Sequence, residues 1–316
     1  MADSGNSGEG WEKRVLEKLA LSSLQEQRRA RRWSVFFKSL TFVYLSIFLF
    51  YWLGWFPESD MSISGKHTAL VDLRGVISPD TISSADNINA GLQHAFKDRR
   101  TKGVILRINS PGGSPVQAGY IADEIRRLRA EYPDIPLYAV VEDICASGGY
   151  YVAAVADKIY VDKASVVGSI GVLMNGFGFT GTMEKLGVER RLLTAGENKA
   201  FLDPFSPLNN KQEKYAKEML NEIHQQFIDV VRQGRGERLK DDPDLFSGTV
   251  WTGERSIQLG LADAVGSSDY VAREIIKAES IVDYTTREGF AERFAKRFGG
   301  VVAEVLLSSG KGWGLQ

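Results

Sequence analysis

Gly103-Val-Ile-Leu-Arg-Ile-Asn-Ser-Pro-Gly-Gly-Ser114 decides how this chain folds. From Gly103 to Asn109 the run is apolar apart from Arg107, which predicts a short buried strand. Pro111, Gly112 and Gly113 end it. From Ser114 to Ala130, Ile121, Ile125 and Leu128 then recur at helical spacing. A buried strand, a tight turn and an amphipathic helix make half of a βαβ unit. The alternation repeats on both sides. Thr68 to Gly75 reads as a strand, and Ser83 to Lys97 as a helix with Ile88, Leu92 and Phe96 on one face. Ile135 to Glu142 reads as a third strand, Ser147 to Val155 as a short helix of small residues, and Lys158 to Val161 as a further strand. Such an order predicts an α/β fold, a parallel sheet with helices packed on it. Beyond it, Tyr215, Met219, Ile223, Phe227 and Val230 mark the longest helix, Asn209 to Gly234, and two more are expected at Thr252 to Leu259 and Ser268 to Ala278.

The chain has 316 residues with 39 basic and 40 acidic side chains. That balance gives no global attraction to nucleic acid, and none is expected as a partner. One cysteine, Cys145, rules out an intramolecular disulfide and a multi-cysteine zinc site. The 3 histidines, His67, His94 and His224, are spread too widely for a histidine-rich metal site. No metal or cofactor is expected.

Charge is uneven at the start. Lys13, Arg14, Lys18, Arg28, Arg29, Arg31 and Arg32 precede an uncharged run from Leu40 to Phe56. That run measures about 25 Å as a helix, and extending it back to Trp33 makes it long enough to cross a bilayer. Lys38 can snorkel, and Tyr51, Trp52 and Trp55 supply an aromatic belt. The expected organisation is a cytoplasmic tail (1–32), a transmembrane helix (33–56), a linker (57–67), a catalytic-type domain (68–284) and an amphipathic C-terminal segment (285–316). The positive-inside rule puts the N-terminus in the cytoplasm and the domain across the membrane. A cleaved signal peptide fits less well, because the apolar run starts late and no small-x-small site comes after it.

Four segments carry residues suited to chemistry. Asn109-Ser-Pro-Gly-Gly-Ser114 is a turn whose glycines let backbone N–H groups face a ligand, and it is equally an ordinary turn before a helix. Asp143-Ile-Cys-Ala-Ser-Gly-Gly-Tyr-Tyr151 sets Ser147 between a buried strand and a helix start, among tiny neighbours. A nucleophile belongs there, and so does a serine that merely caps the helix. Cys145 stands where a Gly-x-Ser-x-Gly elbow has its first glycine. No histidine is well placed as a base: His224 adjoins an apolar stripe, His94 is on a surface-type helix and His67 is in the linker. A lysine is the alternative base. Lys199 is followed by apolar residues and two prolines, compatible with a desolvated site, although a solvated surface lysine is the common case. Val167-Gly-Ser-Ile-Gly-Val172 is apolar apart from Ser169, whose hydroxyl is suited to hold an amine.

The ordered set Asn109-Ser-Pro-Gly-Gly113, Ala146-Ser-Gly-Gly-Tyr150, Gly168-Ser-Ile-Gly171, Gly196-Glu-Asn-Lys199 and Trp251-Thr-Gly253 with Gly260-Leu-Ala-Asp263 resembles the signal peptide peptidase A family. The resemblance covers about residues 68–280 and is to the short, single-domain form. It implies a ClpP/crotonase-like repeated ββα core and a Ser–Lys hydrolase. By it Ser147 is the nucleophile, Lys199 the general base and Ser169 the residue that orients the lysine. The N–H groups of Gly113 and Gly148 form the oxyanion hole. It also implies a homo-oligomer with active sites between subunits, an apolar peptide substrate left in the bilayer after preprotein processing, and a bacterial inner membrane with the domain in the periplasm.

Gly176-Phe-Gly-Phe-Thr-Gly181 matches a dinucleotide fingerprint, but phenylalanines fill positions between its glycines, and the segment from Thr182 to Leu186 is too short for a crossover helix. Two rival readings share the fold: a non-catalytic membrane scaffold, and a crotonase-like acyl-CoA enzyme, whose chemistry has no use for a serine nucleophile with a distant lysine.

Overall fold

A computed structural model describes residues 9–52 and 65–286 of the chain, with side chains for 27–50 and 65–286. They fall into two compact units, divided near residues 62 and 288. The first holds one helix, α1 (Glu9–Trp52), of 44 residues. Within it, Gln27–Phe50 is long and apolar enough to cross a membrane. Its apolar side chains from Trp33 to Phe50 are almost all exposed, and Trp33 stacks on Phe37 with ring centroids 5.6 Å apart. Trp55, most of the expected linker and nearly all of the expected C-terminal segment lie outside the described residues.

The second unit is α/β. Its elements are β1 (His67–Arg74), α2 (Ala85–Lys97), β2 (Thr101–Ser110), α3 (Pro115–Glu131), β3 (Leu137–Ala146), α4 (Gly148–Ala153), β4 (Lys158–Val161) and β5 (Val166–Gly168). Then come α5 (Thr180–Lys185), α6 (Asn210–Arg235), β6 (Val250–Thr252), α7 (Gly253–Gln258), β7 (Ala264–Val265), α8 (Ser268–Tyr270) and β8 (Ile281–Asp283). The 8-stranded sheet runs β6-β5-β3-β2-β1-β8, with β4 pairing β3 and β7 pairing β4. Every pairing is parallel except that of β5 with β6. The sheet is therefore mainly parallel, as expected from the alternation.

The helices start where local chemistry dictates. Ser84 Oγ accepts from the Asn87 N–H, Ser114 Oγ from Gln117 (3.4 Å), and Asn209 Oδ1 from Lys211 (2.9 Å). Pro115 follows Ser114 at the first helical position, where its missing N–H costs nothing. The face of α3 predicted from Ile121, Ile125 and Leu128 is fully buried. It joins Ile88, Leu92 and Phe96 of α2 and Val71, Leu73, Leu106 and Ile108 of the central strands in one core. Each such side chain contributes roughly 1.5–3 kcal/mol by leaving water. On the other sheet face Leu70, Ile105, Val140 and Tyr160 are covered by Val271 and Ala272. These lie in the π-helical turn Val271–Ile276 that continues α8. Two residues further along each strand this face turns polar. There Arg107 Nε meets Asp72 Oδ1 at 2.5 Å, and Arg74 Nη2 meets Glu142 at 2.7 Å.

Two elements differ from their sequence-based expectation. His67, expected in the linker, opens β1 and is 1% exposed. Its ring lies 3.0 Å from the Tyr284 hydroxyl, which donates to Asp98 at 2.7 Å; a polar residue at a strand start is buried because distant partners satisfy it. The last expected helix, Ser268 to Ala278, loses its regular winding after Tyr270, and Lys277 ends it at φ 63°.

The strand that positions the site is β3. Tyr138–Val140 pair with β4, while Ile144–Ala146 pair with β5. The strand thus forks, and its last residue hands the chain to Ser147.

Candidate active site

Ser147 sits at φ 51°, ψ −123°, between the end of β3 and the start of α4. Few non-glycine residues adopt such a conformation, and it costs of order 1–3 kcal/mol unless neighbours enforce it. Here they do. The Ser147 N–H donates to Gly168 C=O at 2.9 Å, and Ser147 C=O accepts from Tyr151 N–H at 2.9 Å. The hydroxyl makes no capping bond to α4. Helix capping, the ordinary explanation for a serine at this position, is thereby removed. The turn is sharp although Cys145, wholly buried, occupies the place of an elbow glycine. Burial in apolar surroundings drives the Cys145 thiol well above its ordinary pKa, so it stays a neutral packing group.

The turn after β2 presses against Ser147 backbone to backbone. A Cβ on Gly112 (φ 97°) would lie 2.6 Å from the Gly148 nitrogen and 2.7 Å from Ser147 Cβ. A Cβ on Gly113 (φ 150°) would lie 2.1 Å from Ile77 O. Only glycine fits at both positions. The Cβ position of Gly148 is 3.3 Å from the Gly113 nitrogen, so these two backbones adjoin beside Ser147. Among the described residues neither the Gly113 nor the Gly148 N–H has a protein acceptor. Two unused N–H groups next to an uncapped hydroxyl can receive a developing oxyanion. With 6 residues, α4 adds little dipole of its own.

Ser169 reaches the same place from β5. It sits at φ 53°, after Gly168 at φ 110°, and its N–H donates to Thr249 C=O at 2.8 Å. Ser147, Ser169, Gly113 and Gly148 line one cavity of about 590 Å³. Its remaining wall is mixed, with Tyr151, Leu173, Ile223 and Phe227 as an apolar part beside Gln226 and Ser247. Tyr151 and Phe227 pack with centroids 5.2 Å apart.

Lys199 is not on that wall. It is exposed, in the segment between α5 and α6, and the desolvated setting expected from its neighbours is absent in the single chain. The whole stretch from Leu173 to Leu208, α5 included, packs on itself through Phe179 and Phe205, 5.3 Å apart, with Arg190 over Phe205 and paired to Asp203. It leaves Leu173, Phe177 and Leu193 exposed at 81%, 78% and 95%. Gly176 and Gly178 directly follow no strand, and Gly181 already lies inside the 6-residue α5, so the dinucleotide geometry is missing.

The motif from Trp251 to Asp263 is architectural. The Trp251 ring backs Gly168, whose Cβ position lies 3.0 Å from it. Asp263 accepts from Ile159 N–H at 2.7 Å and from the buried Arg235 at 2.8 Å. Burial alone would raise the Asp263 pKa, but the Arg235 hydrogen bond and charge outweigh it and hold the carboxyl below its ordinary value. His224, read from its place beside the apolar stripe of α6 as structural and not as the base, lies with Nε2 3.1 Å from Ile170 C=O.

The α/β unit that carries this site is similar to known proteins. Residues 129–282, from the end of α3 to β8, match the model of peptidase family S49. That match covers just under half of the chain, and over it the chain is similar to this peptidase family. It is 31% identical over 202 residues to a putative signal peptide peptidase SppA of Enterococcus faecium, covering 64% of this chain and 58% of that one. It is 30% identical over 231 residues to a probable protease SohB of Haemophilus influenzae, covering 72% and 64%. It is also 43% identical over 209 residues to a Brucella melitensis protein named Na(+)/H(+) antiporter NhaA, covering 66% of this chain but 28% of that one. The chain thus spans less than two thirds of the length of each. Ser147, Ser169 and Lys199 fall inside the family match, and Gly113 lies before it.

Proposed function

We propose that this protein is a membrane-anchored serine endopeptidase that uses Ser147 as nucleophile and Lys199 as base. Its substrates are apolar peptides, with signal peptides left in the bilayer as the main class. The observation that carries the proposal is Ser147 itself: strained, uncapped, and set beside two N–H groups with no other acceptor. Ser147 Oγ attacks the scissile carbonyl carbon while its proton passes to the neutral Lys199 amine. The oxygen gains the π electrons of the carbonyl and is held by the Gly113 and Gly148 N–H groups. Collapse breaks the C–N bond, and the leaving amine takes from Lys199 the proton that came from Ser147 Oγ. Water then attacks the acyl ester and gives a proton to Lys199, which returns it to Ser147 Oγ as the ester breaks. Ser169 holds the lysine amine during both steps.

Lys199 stands outside the cavity of its own chain, so a neighbouring copy supplies it, and the working form is a homo-oligomer. The apolar part of the wall, with Tyr151, Ile223 and Phe227, supports an apolar substrate. The apolar stretch of α1, preceded by Arg28, Arg29, Arg31 and Arg32, supports a bacterial inner-membrane anchor with its N-terminus in the cytoplasm and the α/β unit in the periplasm.

The exposure of Lys199 equally favours a non-catalytic scaffold of the same fold. Labelling with a serine-reactive phosphonyl probe separates the two. The wild type takes up one label per subunit and Ser147→Ala none; a wild type that stays unlabelled under conditions where it is fully assembled rejects the peptidase mechanism. The antiporter name of the Brucella protein is not carried over, because the shared region is 28% of that protein and this chain's family match is to a peptidase.

A further inference from the structure

Ser169 occupies a turn that does not hold itself in place. Gly168 and Ser169 have successive positive φ angles, 110° and 53°. Glycine takes such a value freely, whereas a serine keeps it only when its surroundings over-determine the backbone. Two contacts bracket it. On one side the Ser169 N–H donates to Thr249 C=O at 2.8 Å. On the other, Ile170 C=O faces His224 Nε2 at 3.1 Å. A carbonyl only accepts, so Nε2 must carry the hydrogen, and it does so in both the neutral and the protonated ring. His224 lies on α6, whose Ile223 and Phe227 line the Ser147 cavity. The same helix therefore walls the cavity and fastens its rim.

We propose that His224 is a positioning residue of the active site: its Nε2–H fixes Ile170 C=O and so holds Ser169 in the conformation that points its hydroxyl into the cavity. This rests on the peptidase reading above, in which Ser169 orients the base. It gives the half-buried histidine of α6 a role distinct from acid–base catalysis, since its contact needs no proton transfer.

The test is steady-state peptide hydrolysis by the full-length, detergent-solubilised protein, with oligomeric state and thermal melting checked for every variant. His224→Leu is expected to lower kcat about tenfold, the scale of one lost hydrogen bond, with KM within about twofold. His224→Gln, whose amide still donates, is expected to recover most of the loss. In a Ser169→Ala background His224→Leu is expected to add little, because both changes remove the same function. Equal losses for Leu and Gln, or an undiminished tenfold loss in the Ser169→Ala background, would overturn the proposal. If His224→Leu does not fold, His224→Asn replaces it, since its shorter side chain stops short of Ile170. Full activity in Ser169→Ala would overturn the proposal as well; full activity in Ser147→Ala would instead overturn the peptidase reading itself, so the two failures are distinguishable.

Discussion

The Ser147 N–H donates to the carbonyl of Gly168 at 2.9 Å. The turn that presents the nucleophile and the turn that presents Ser169 are thus joined by one backbone bond, and both serines lie at positive φ. Strain at one is shared with the other.

That strain is measurable. Ser147→Gly is expected to raise stability by about 1 kcal/mol relative to Ser147→Ala, because glycine accepts φ 51° without cost. Both variants lose hydrolysis. Thermal melts of the two, compared under one condition, check this. An alanine variant as stable as the glycine variant would mean that the backbone there is relaxed.

Gly113→Ala has no room for its methyl group, with Ile77 O 2.1 Å from the Cβ position. The turn must shift, taking with it an N–H assigned to the oxyanion. The expected result is at least about a hundredfold loss in kcat, the usual scale for an oxyanion donor. Gly65→Ala, where a Cβ meets nothing within 4 Å, is the control and leaves kcat unchanged.

Subunit mixing tests the origin of the base. Ser147→Ala and Lys199→Ala proteins are each expected to be inactive, and their mixed oligomers to regain part of the activity. Lys199→Arg behaves as Lys199→Ala, since arginine cannot act as a base. Activity of the wild type rises toward alkaline pH, because the lysine must lose a proton before it works. Verified mixed oligomers without activity would place the lysine in the same chain as its serine.

Stability is expected to fall on acidification. The Asp98 carboxyl is held far below its ordinary value by hydrogen bonds from the Arg100 side chain and backbone, with Tyr284 adding a third, and Asp263 is held lower by Arg235 despite its burial. A folded pKa below the unfolded one gives stability that is fully present above the unfolded pKa, about 4, and is lost as pH drops through the folded value. Denaturant unfolding at pH 7 and pH 3 should therefore show a lower midpoint at pH 3. Asp263→Asn should be less stable at pH 7 and show a smaller difference between the two.

The alternation from Thr68 to Val161 is legible because each element carries its own period: Val104 to Ile108 as a strand, and Ile121, Ile125 and Leu128 as a helix stripe. Ser147 is legible as a candidate, since a serine among glycines after a buried strand has few explanations. Its backbone angle is not, because it is imposed by Gly168 and by the turn after β2, both remote in sequence. The place of His67 is hidden for a related reason: its burial depends on Tyr284, 217 positions away. Lys199 shows the limit of local reading. Apolar neighbours and two prolines point to a desolvated amine, yet in one chain it faces solvent. Side chains of that segment are apolar and exposed together, and no local period reveals what covers them.

Glycine packing around Ser147 has a consequence for when the molecule is dangerous. Gly112 and Gly113 leave no slack between the two turns, so the nucleophile and its N–H pair are ready in every newly made copy. If the base arrives only with a second copy, a lone chain carries a loaded but unarmed site. Assembly then acts as the safety catch, and on the proposed reading a copy made singly does no harm until it has company.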